Sequence, residues 1–218
     1  MFLKILFLVL AYLIGAIPFG FLFGKMKGVD IRTMGSNNIG ATNTGRILGK
    51  KYAIFTYILD MIKGGIFVFL FRFCIIPVNY CVLSPMLYGF VAVVGHTFPI
   101  YLGFKGGKSV ACGSGAIAGY CPWMLPILMI IFFIIKKLSS LVSLGSLIST
   151  LICFVMVLTT SLIKQEFLIS VIDYPASVLW PVNYWCVIFT FLIVLIIFIR
   201  HASNIKRILN HTEKPINY

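Results

Sequence analysis

The sequence predicts an all-α polytopic membrane protein of about seven transmembrane helices, two of them short, with the N-terminus outside and the C-terminus cytoplasmic. Three observations carry this. Of 218 residues, 61% are hydrophobic and 11% charged, whereas a soluble domain carries about 25% charged residues. Mean hydropathy is +1.06, and the apolar residues form runs of bilayer-spanning length. Finally, 18 Lys and Arg oppose five acids, a net charge of +13, and such an excess marks cytoplasmic connections and contact with anionic lipid. Disorder and a soluble α/β enzyme are excluded. Residues 1–218 read as a single domain.

The first apolar run, Phe2 to Phe23, is a full span without a small-x-small cleavage site, so it reads as an anchor and not a signal peptide. The polar stretch Gly24 to Tyr52 carries Lys25, Lys27, Arg32, Arg46, Lys50 and Lys51 and is cytoplasmic by the charge rule. Spans follow at about Ala53 to Ile76 and Cys81 to Phe104, separated by a turn at Pro77 and Asn79. Val110 to Ile135 contains Pro122 and Pro126, which suggest a broken hairpin of two short helices, about 110–121 and 126–137. That break returns Lys136 and Lys137 to the cytoplasm. A span at about Ser140 to Ile163, an external loop from Lys164 to Pro181 holding Glu166 and Asp173, and a span at about Val182 to Ile199 complete the set. The tail from Arg200 to Tyr218 is cytoplasmic. Within the second span, Asp60 and Lys63 stand i,i+3 and are expected to pair, because isolated intramembrane charges are costly. Arg72 is expected to snorkel outward.

The polar motifs gather on the cytoplasmic side. Arg32 through Arg46 reads R-T-M-G-S-N-N-I-G-A-T-N-T-G-R. Its glycines permit backbone N–H groups to converge on an anion, and Arg46 offers a bidentate grip. An ordinary surface loop has the same composition. Gly95-His96-Thr97-Phe98-Pro99 precedes Gly103-Phe104-Lys105-Gly106-Gly107-Lys108-Ser109. Two lysines around paired glycines before a helix make a sensible phosphate seat. A nucleotide P-loop is rejected, since Gly103 leaves three residues where four are needed and no strand precedes it. His96 reads as a hydrogen-bonded residue fixing a helix end. Ser143 lies one turn into the next span. His201 and Asn204, at i,i+3, share a helix face, while Arg200, Lys206 and Arg207 read as headgroup anchors. The six cysteines show neither zinc spacing nor a disulfide framework, and five acids build no carboxylate box for a hard cation.

These motifs resemble the bacterial acyl-phosphate:glycerol-3-phosphate acyltransferases. Gly35 to Arg46 is similar to that family's Gly-Ser-Gly-Asn-x-Gly-Ala-Thr-Asn-x-x-Arg, and Gly95 to Cys112 to its Gly-His-x-Phe-Pro and Phe-Lys-Gly-Gly-Lys-Gly-Val-Ala-Thr. Ser143, Arg200 to Arg207 and Thr212-Glu213 fit its third. Asn37, Ser109 and His211 stand where the family has glycine, and Cys112 where it has threonine. The resemblance spans nearly the whole chain in order. It implies a seven-helix enzyme of the bacterial cytoplasmic (inner) membrane, with its active site facing the cytoplasm. The reaction is transfer of a fatty acyl group from acyl phosphate to the 1-hydroxyl of sn-glycerol 3-phosphate, giving lysophosphatidic acid and phosphate for phospholipid synthesis. By position, Ser36, Arg46 and His201 are the catalytic-centre residues. Asn38, Thr42, Asn43, Lys105, Gly106, Gly107, Lys108, Ser143 and Asn204 bind substrate or phosphate, with His96 and Glu213 in support. Neither metal nor cofactor is implied, and the partners are the two substrates and membrane lipid, with no nucleic acid and a monomeric state. Ser36 could form an acyl-enzyme, but direct transfer is favoured; the base is His201, Ser36 or a substrate phosphate.

Rival chemistries lack their residues. The His-x-x-x-x-Asp pair of acyl-CoA acyltransferases is absent, because Tyr101, Lys206 and Ile216 follow the three histidines at that offset. Metal-dependent alcohol phosphotransferases need several aspartates. A small transporter of a phosphorylated metabolite is the alternative, and would place its anion-binding groups on a central pathway open to both faces.

Overall fold

The computed structural model describes residues 1–163, 182 and 184–215. The expected external loop, with Glu166 and Asp173, lies outside the described residues. Those described form ten α-helices, two short 3-10 turns and no strand. They are α1 (Phe2–Ala16), α2 (Phe19–Met26), α3 (Ala41–Leu48), α4 (Lys50–Arg72) and α5 (Pro85–Thr97). After them come α6 (Val110–Tyr120), α7 (Met124–Ser139), α8 (Val142–Leu162), α9 (Tyr184–Arg200) and α10 (Ala202–Leu209).

Three stretches are long and apolar enough to cross a bilayer alone: Lys50–Arg72, Pro85–Leu102 and Val142–Leu162. Counting the bent pairs α1–α2 and α9–α10 as one span each gives five, against the seven expected. The first run is not one helix. It bends by 43° at Ile17–Pro18, because proline has no N–H to continue the ladder. The Val110–Ile135 run is broken, but at Cys121–Trp123. Pro126 falls in the first turn of α7, where its missing N–H would have no intrahelical partner. The polar stretch before α4 is also more ordered than a loop, since it contains α3.

Small residues set the packing, as they do where lipid-like surroundings leave close approach as a main source of attraction. Gly64 and Gly65 of α4 lie against the backbone of Cys112 and Gly115 of α6, and a Cβ on either would collide with those carbonyls. Gly15 of α1 meets Ala92 of α5 in the same way. A core of Val68, Met86, Val93, Ala116, Ile117, Tyr120, Val157, Phe189 and Ile193 joins α4, α5, α6, α8 and α9.

Two buried charges brace this bundle. Lys63 Nζ lies 2.7 Å from Asp60 Oδ1, the expected pairing, and donates to Ile17 O at 2.6 Å. The ion pair therefore props the open carbonyl at the α1–α2 bend. Arg72 does not snorkel outward. It is 8% exposed, its Nε donates to Tyr120 O at 3.2 Å, and its guanidinium lies 5.3 Å from the centre of the Tyr120 ring. The C-terminal carbonyls of α6 carry partial negative charge, which attracts this cation more effectively than an unpaired route to the surface.

Breaking one half of the buried pair leaves an uncompensated charge, at a cost of about 3–5 kcal/mol. Lys63→Met should therefore lower the thermal unfolding midpoint in detergent sharply. The double variant Asp60→Asn, Lys63→Met should recover most of the loss.

Candidate functional site

The loop from Ile31 to Gly40 is shaped by one side chain. Asn43, on α3 and 1% exposed, donates through Nδ2 to the carbonyls of Ile31 (2.9 Å), Met34 (3.1 Å) and Asn38 (2.9 Å). Its Oδ1 accepts from Ser36 N at 2.7 Å. Gly35 is left-handed at φ 62°, and a Cβ there would strike Asn43 Oδ1. The Asn43 amide is thus fully occupied by the loop. It shapes the site instead of meeting phosphate, while Ser36 is left exposed at the surface of the fold. Asn38 Oδ1 accepts from Gly40 N at 2.9 Å, which fixes the entrance to α3.

The Lys105–Ser109 segment differs from the expected anion cradle. Gly106 N and Gly107 N donate to Thr97 O and His96 O, both at 3.1 Å, so these N–H groups are not offered to a ligand. Their carbonyls accept from Arg200, at 2.9 Å from Nη2 to Gly106 O and 3.2 Å from Nε to Gly107 O. Arg200 is therefore a clasp for this segment and not a headgroup anchor. Gly107 packs so closely on His96 that a Cβ would meet its Nε2. His96 fixes the end of α5 through its carbonyl and the Nε2 edge of its ring. Its Nδ1 makes no hydrogen bond and stands 3.7 Å from Asp60 Oδ1. Lys105 is exposed and does not line the cavity described below, whereas Lys108 turns inward.

Lys108 is held by a web spanning four parts of the chain. Its Nζ donates to Asn204 Oδ1 at 2.6 Å. Asn204 Nδ2 donates to Ser143 Oγ at 2.9 Å and to Glu213 Oε1 at 2.6 Å. Ser143 Oγ donates to Glu213 Oε1 at 2.6 Å, and Arg207 Nε to Glu213 Oε2 at 2.6 Å. Arg207 is thus a partner of the tail. Burial pushes the Glu213 carboxyl up, yet hydrogen bonds from Ser143, Arg207 and Asn204 outweigh it and hold it below its usual range. Burial lowers Lys108 to about 8, with Glu213 opposing and Arg207, Arg46 and Arg200 reinforcing. Burial and then the Lys108 charge lower His201 to about 4. The neutral ring can donate from Nδ1 to Ile197 O at 2.8 Å, which leaves Nε2 as its acceptor.

These groups line one cavity of about 970 Å³. At its polar end stand Ser36, Asn38, Thr42, Arg46, Lys108 and His201, with Ser143, Asn204 and Glu213 behind them. The N-terminal turns of both α3 and α6 contribute to the wall, and their partial positive charge suits an anion. Arg46 Nη2 reaches Lys214 O at 3.4 Å, so the folded-back tail closes one side. The opposite end is mostly apolar, built from Ile117, Leu125, Leu128, Phe132, Ile193 and Val194, with Ser149 and Thr190 among them. Sequence reasoning missed the inward role of Arg200 and Arg207 because charge at a helix end looks the same whether it meets lipid or protein.

Residues 5–211 match the model of the family described as glycerol-3-phosphate acyltransferase. A Macrococcus caseolyticus protein named glycerol-3-phosphate acyltransferase is 40% identical over 215 residues, covering 98% of this chain and 97% of its own. A Staphylococcus aureus protein of the same name is 38% identical over 219 residues, covering 98% of each. The crystal structure of PlsY, an integral membrane glycerol 3-phosphate acyltransferase, superimposes with a TM-score of 0.83 in its glycerol 3-phosphate form. That match is at 29% identity over 98% of this chain and 96% of that one. The lysophosphatidic acid form gives 0.81 at 28% identity, over 98% and 95%.

Three residues that stand in place of family glycines are left-handed: Asn37 (φ 55°), Ser109 (φ 64°) and His211 (φ 55°). That conformation costs a side chain roughly 1–2 kcal/mol, least for Asn. Ser109 recovers part of it, because its hydroxyl lies 2.6 Å from Thr97 Oγ1 and donates to Val93 O at 3.3 Å. His211→Gly should therefore stabilise the protein by about 1 kcal/mol, read as a raised unfolding midpoint. Ser109→Gly should give little or no gain.

Proposed function

The chain belongs to the glycerol-3-phosphate acyltransferase family, and on that premise we propose that it transfers a fatty acyl group from acyl phosphate to the 1-hydroxyl of sn-glycerol 3-phosphate. The observation that supports this most directly is a single cavity with a cationic, hydroxyl-lined end and an apolar end. Both substrates carry phosphate, and one carries a fatty chain. In a seven-span arrangement, N-terminus out and tail in, the polar end faces the cytoplasm from the bacterial inner membrane. The positive-inside bias of Lys25, Lys27, Lys50, Lys51, Lys136 and Lys137 supports that orientation. The protein acts as a monomer, since one chain supplies every group the reaction uses.

The chemistry is a displacement at a carbonyl. The 1-hydroxyl oxygen bonds to the acyl carbon, the carbon–oxygen bond to phosphate breaks, and the hydroxyl proton passes to a phosphate oxygen. The mixed anhydride already has a good leaving group, so alignment and charge stabilisation supply most of the catalysis. Arg46 and Lys108 hold phosphate oxygens, with Thr42 and the first N–H groups of α3 in support. Ser36 and Asn38 offer hydrogen bonds at the exposed edge of the site. Burial and the Lys108 charge hold His201 down to about 4, which makes it a poor base at neutral pH. The proton therefore goes to phosphate, and neutral His201 orients the hydroxyl through Nε2. Direct transfer needs no acyl-enzyme on Ser36. Asn204, Ser143 and Glu213 act through Lys108 as positioning residues.

Purified protein given labelled glycerol 3-phosphate and palmitoyl phosphate, without added metal, should yield lysophosphatidic acid. Palmitoyl-CoA alone should yield none, and product from it would overturn the donor assignment. Ser36→Ala and Arg46→Ala should each lower kcat/KM by about 10²–10³-fold, the range for removing one donor to developing charge.

Lys108 sets the alkaline limb. Its charged form grips phosphate, so binding is intact below about pH 8 and lost as the pH rises through that value. Above it, kcat/KM should fall roughly tenfold per pH unit. Lys108→Arg, whose guanidinium stays charged, should move the limb above pH 10.

A further inference from the structure

The apolar end of the cavity carries two hydroxyls that the fold leaves unused. Ser149 of α8 and Thr190 of α9 line it, are 8% and 1% exposed, and have no hydrogen-bond partner among the described residues. Other hydroxyls of the cavity wall are treated differently. Ser146 donates to Val142 O at 2.9 Å, Ser114 to Ala111 O at 2.8 Å, and Ser143 to Glu213. Farther along α8, off the cavity, Thr160 donates to Met156 O at 2.6 Å. A helix hydroxyl can thus turn back to a carbonyl one turn earlier; Ser149, with Gly145 one turn behind it, does not. The Cys186 thiol, one turn from Thr190, is only a weak hydrogen-bonding group. The two helices run side by side at this depth, where the Phe154 and Phe191 rings lie 5.6 Å apart. Ser149 is six residues beyond Ser143, about 9 Å of helix, and Thr190 is eleven before His201, about 16 Å. Both therefore stand within the reach of a long fatty chain whose reacting head lies at the polar end.

We propose that Ser149 and Thr190 are specificity-determining residues of the acyl slot, and that they favour a donor whose chain carries a hydroxyl partway along its length. A hydroxyl shut away without a partner forgoes a hydrogen bond, and the loss is recovered when a ligand supplies one. A bare alkyl chain cannot do so, since a methylene neither donates nor accepts. Water is a poor substitute. A buried water needs about 2–4 polar partners, and the wall around these two residues is built from Ile117, Leu128, Ile193 and Val194. A hydroxyl on the chain brings a donor and an acceptor together, and serine meets it by rotation about a single bond. The apolar wall on either side holds the methylenes. The inference rests on the acyl-phosphate reading given above and adds to it the kind of chain that the slot selects.

The test moves a hydroxyl along the donor. Stearoyl phosphate and a series of hydroxystearoyl phosphates, differing only in which carbon bears the hydroxyl, are assayed with purified protein in one detergent. The isomers share the same cost of leaving water, so differences among them report the partner met in the slot. For the unsubstituted protein, kcat/KM should peak at a mid-chain position. The peak should stand about three- to tenfold above the isomers hydroxylated near either end, the range for one net hydrogen bond. Ser149→Ala and Thr190→Val should each lower that peak relative to the end-hydroxylated isomers, and the double variant should flatten it. Each ratio is internal to one protein, so a change in folding yield does not enter it. Thr160→Val, which removes a hydroxyl of α8 away from the cavity, should keep the peak. With stearoyl phosphate still consumed, a profile without a mid-chain peak, or a peak untouched in the double variant, would overturn the proposal. Failure of the unsubstituted protein with stearoyl phosphate itself would instead sink the donor reading, and this inference with it.

Discussion

The site depends on the hydrogen-bonded chain that runs from Lys108 through Asn204 to Glu213. Lys108 follows a glycine pair on one connection, Asn204 lies on the short helix α10, Ser143 begins α8, and Glu213 belongs to the tail. No covalent proximity brings these together. A single amide does so by accepting from the ammonium at 2.6 Å and donating to the carboxylate at 2.6 Å. Such charge-assisted bonds are short and strong, and each is worth more where water is scarce. The web also fixes the charge pattern. Glu213 stays ionised, Lys108 remains cationic at neutral pH, and His201 beside it stays neutral.

Partial neutralisation lowers the repulsion within so cationic an end of the cavity. Arg200 is satisfied by two carbonyls and Arg207 by Glu213. Arg46 and Lys108 both line the cavity, Lys108 just before the N-terminus of α6, where the helix adds positive potential, and Arg46 in the last turn of α3. The same fold carries apolar lining from α6, α7, α8 and α9 beside these cations, so two chemically opposite walls face a single space.

Much of this was legible in the sequence. The apolar runs, the break near Pro122 and the Asp60–Lys63 pair followed from bilayer length, proline chemistry and the cost of a lone charge. The motifs around Gly35, Gly106 and His201 pointed to one polar site. Other features could not be read. That Gly106 and Gly107 offer their N–H groups to α5 and not to a ligand depends on the path of α5, which composition does not encode. Nor does it encode that Asn43 braces its own loop, that Lys105 points away while Lys108 turns inward, or that Arg72 caps α6. The glycine replacements are a middle case. A departure at Asn37, Ser109 or His211 was visible, but its meaning needed the left-handed backbone found at all three.

The most direct test of the central claim is a double-mutant cycle between Lys108 and Asn204, read as kcat/KM for glycerol 3-phosphate. If Asn204 acts by presenting the ammonium, the Lys108→Met, Asn204→Leu protein should be no worse than Lys108→Met alone, within about twofold. Losses that multiply would show two independent contributions and contradict the account.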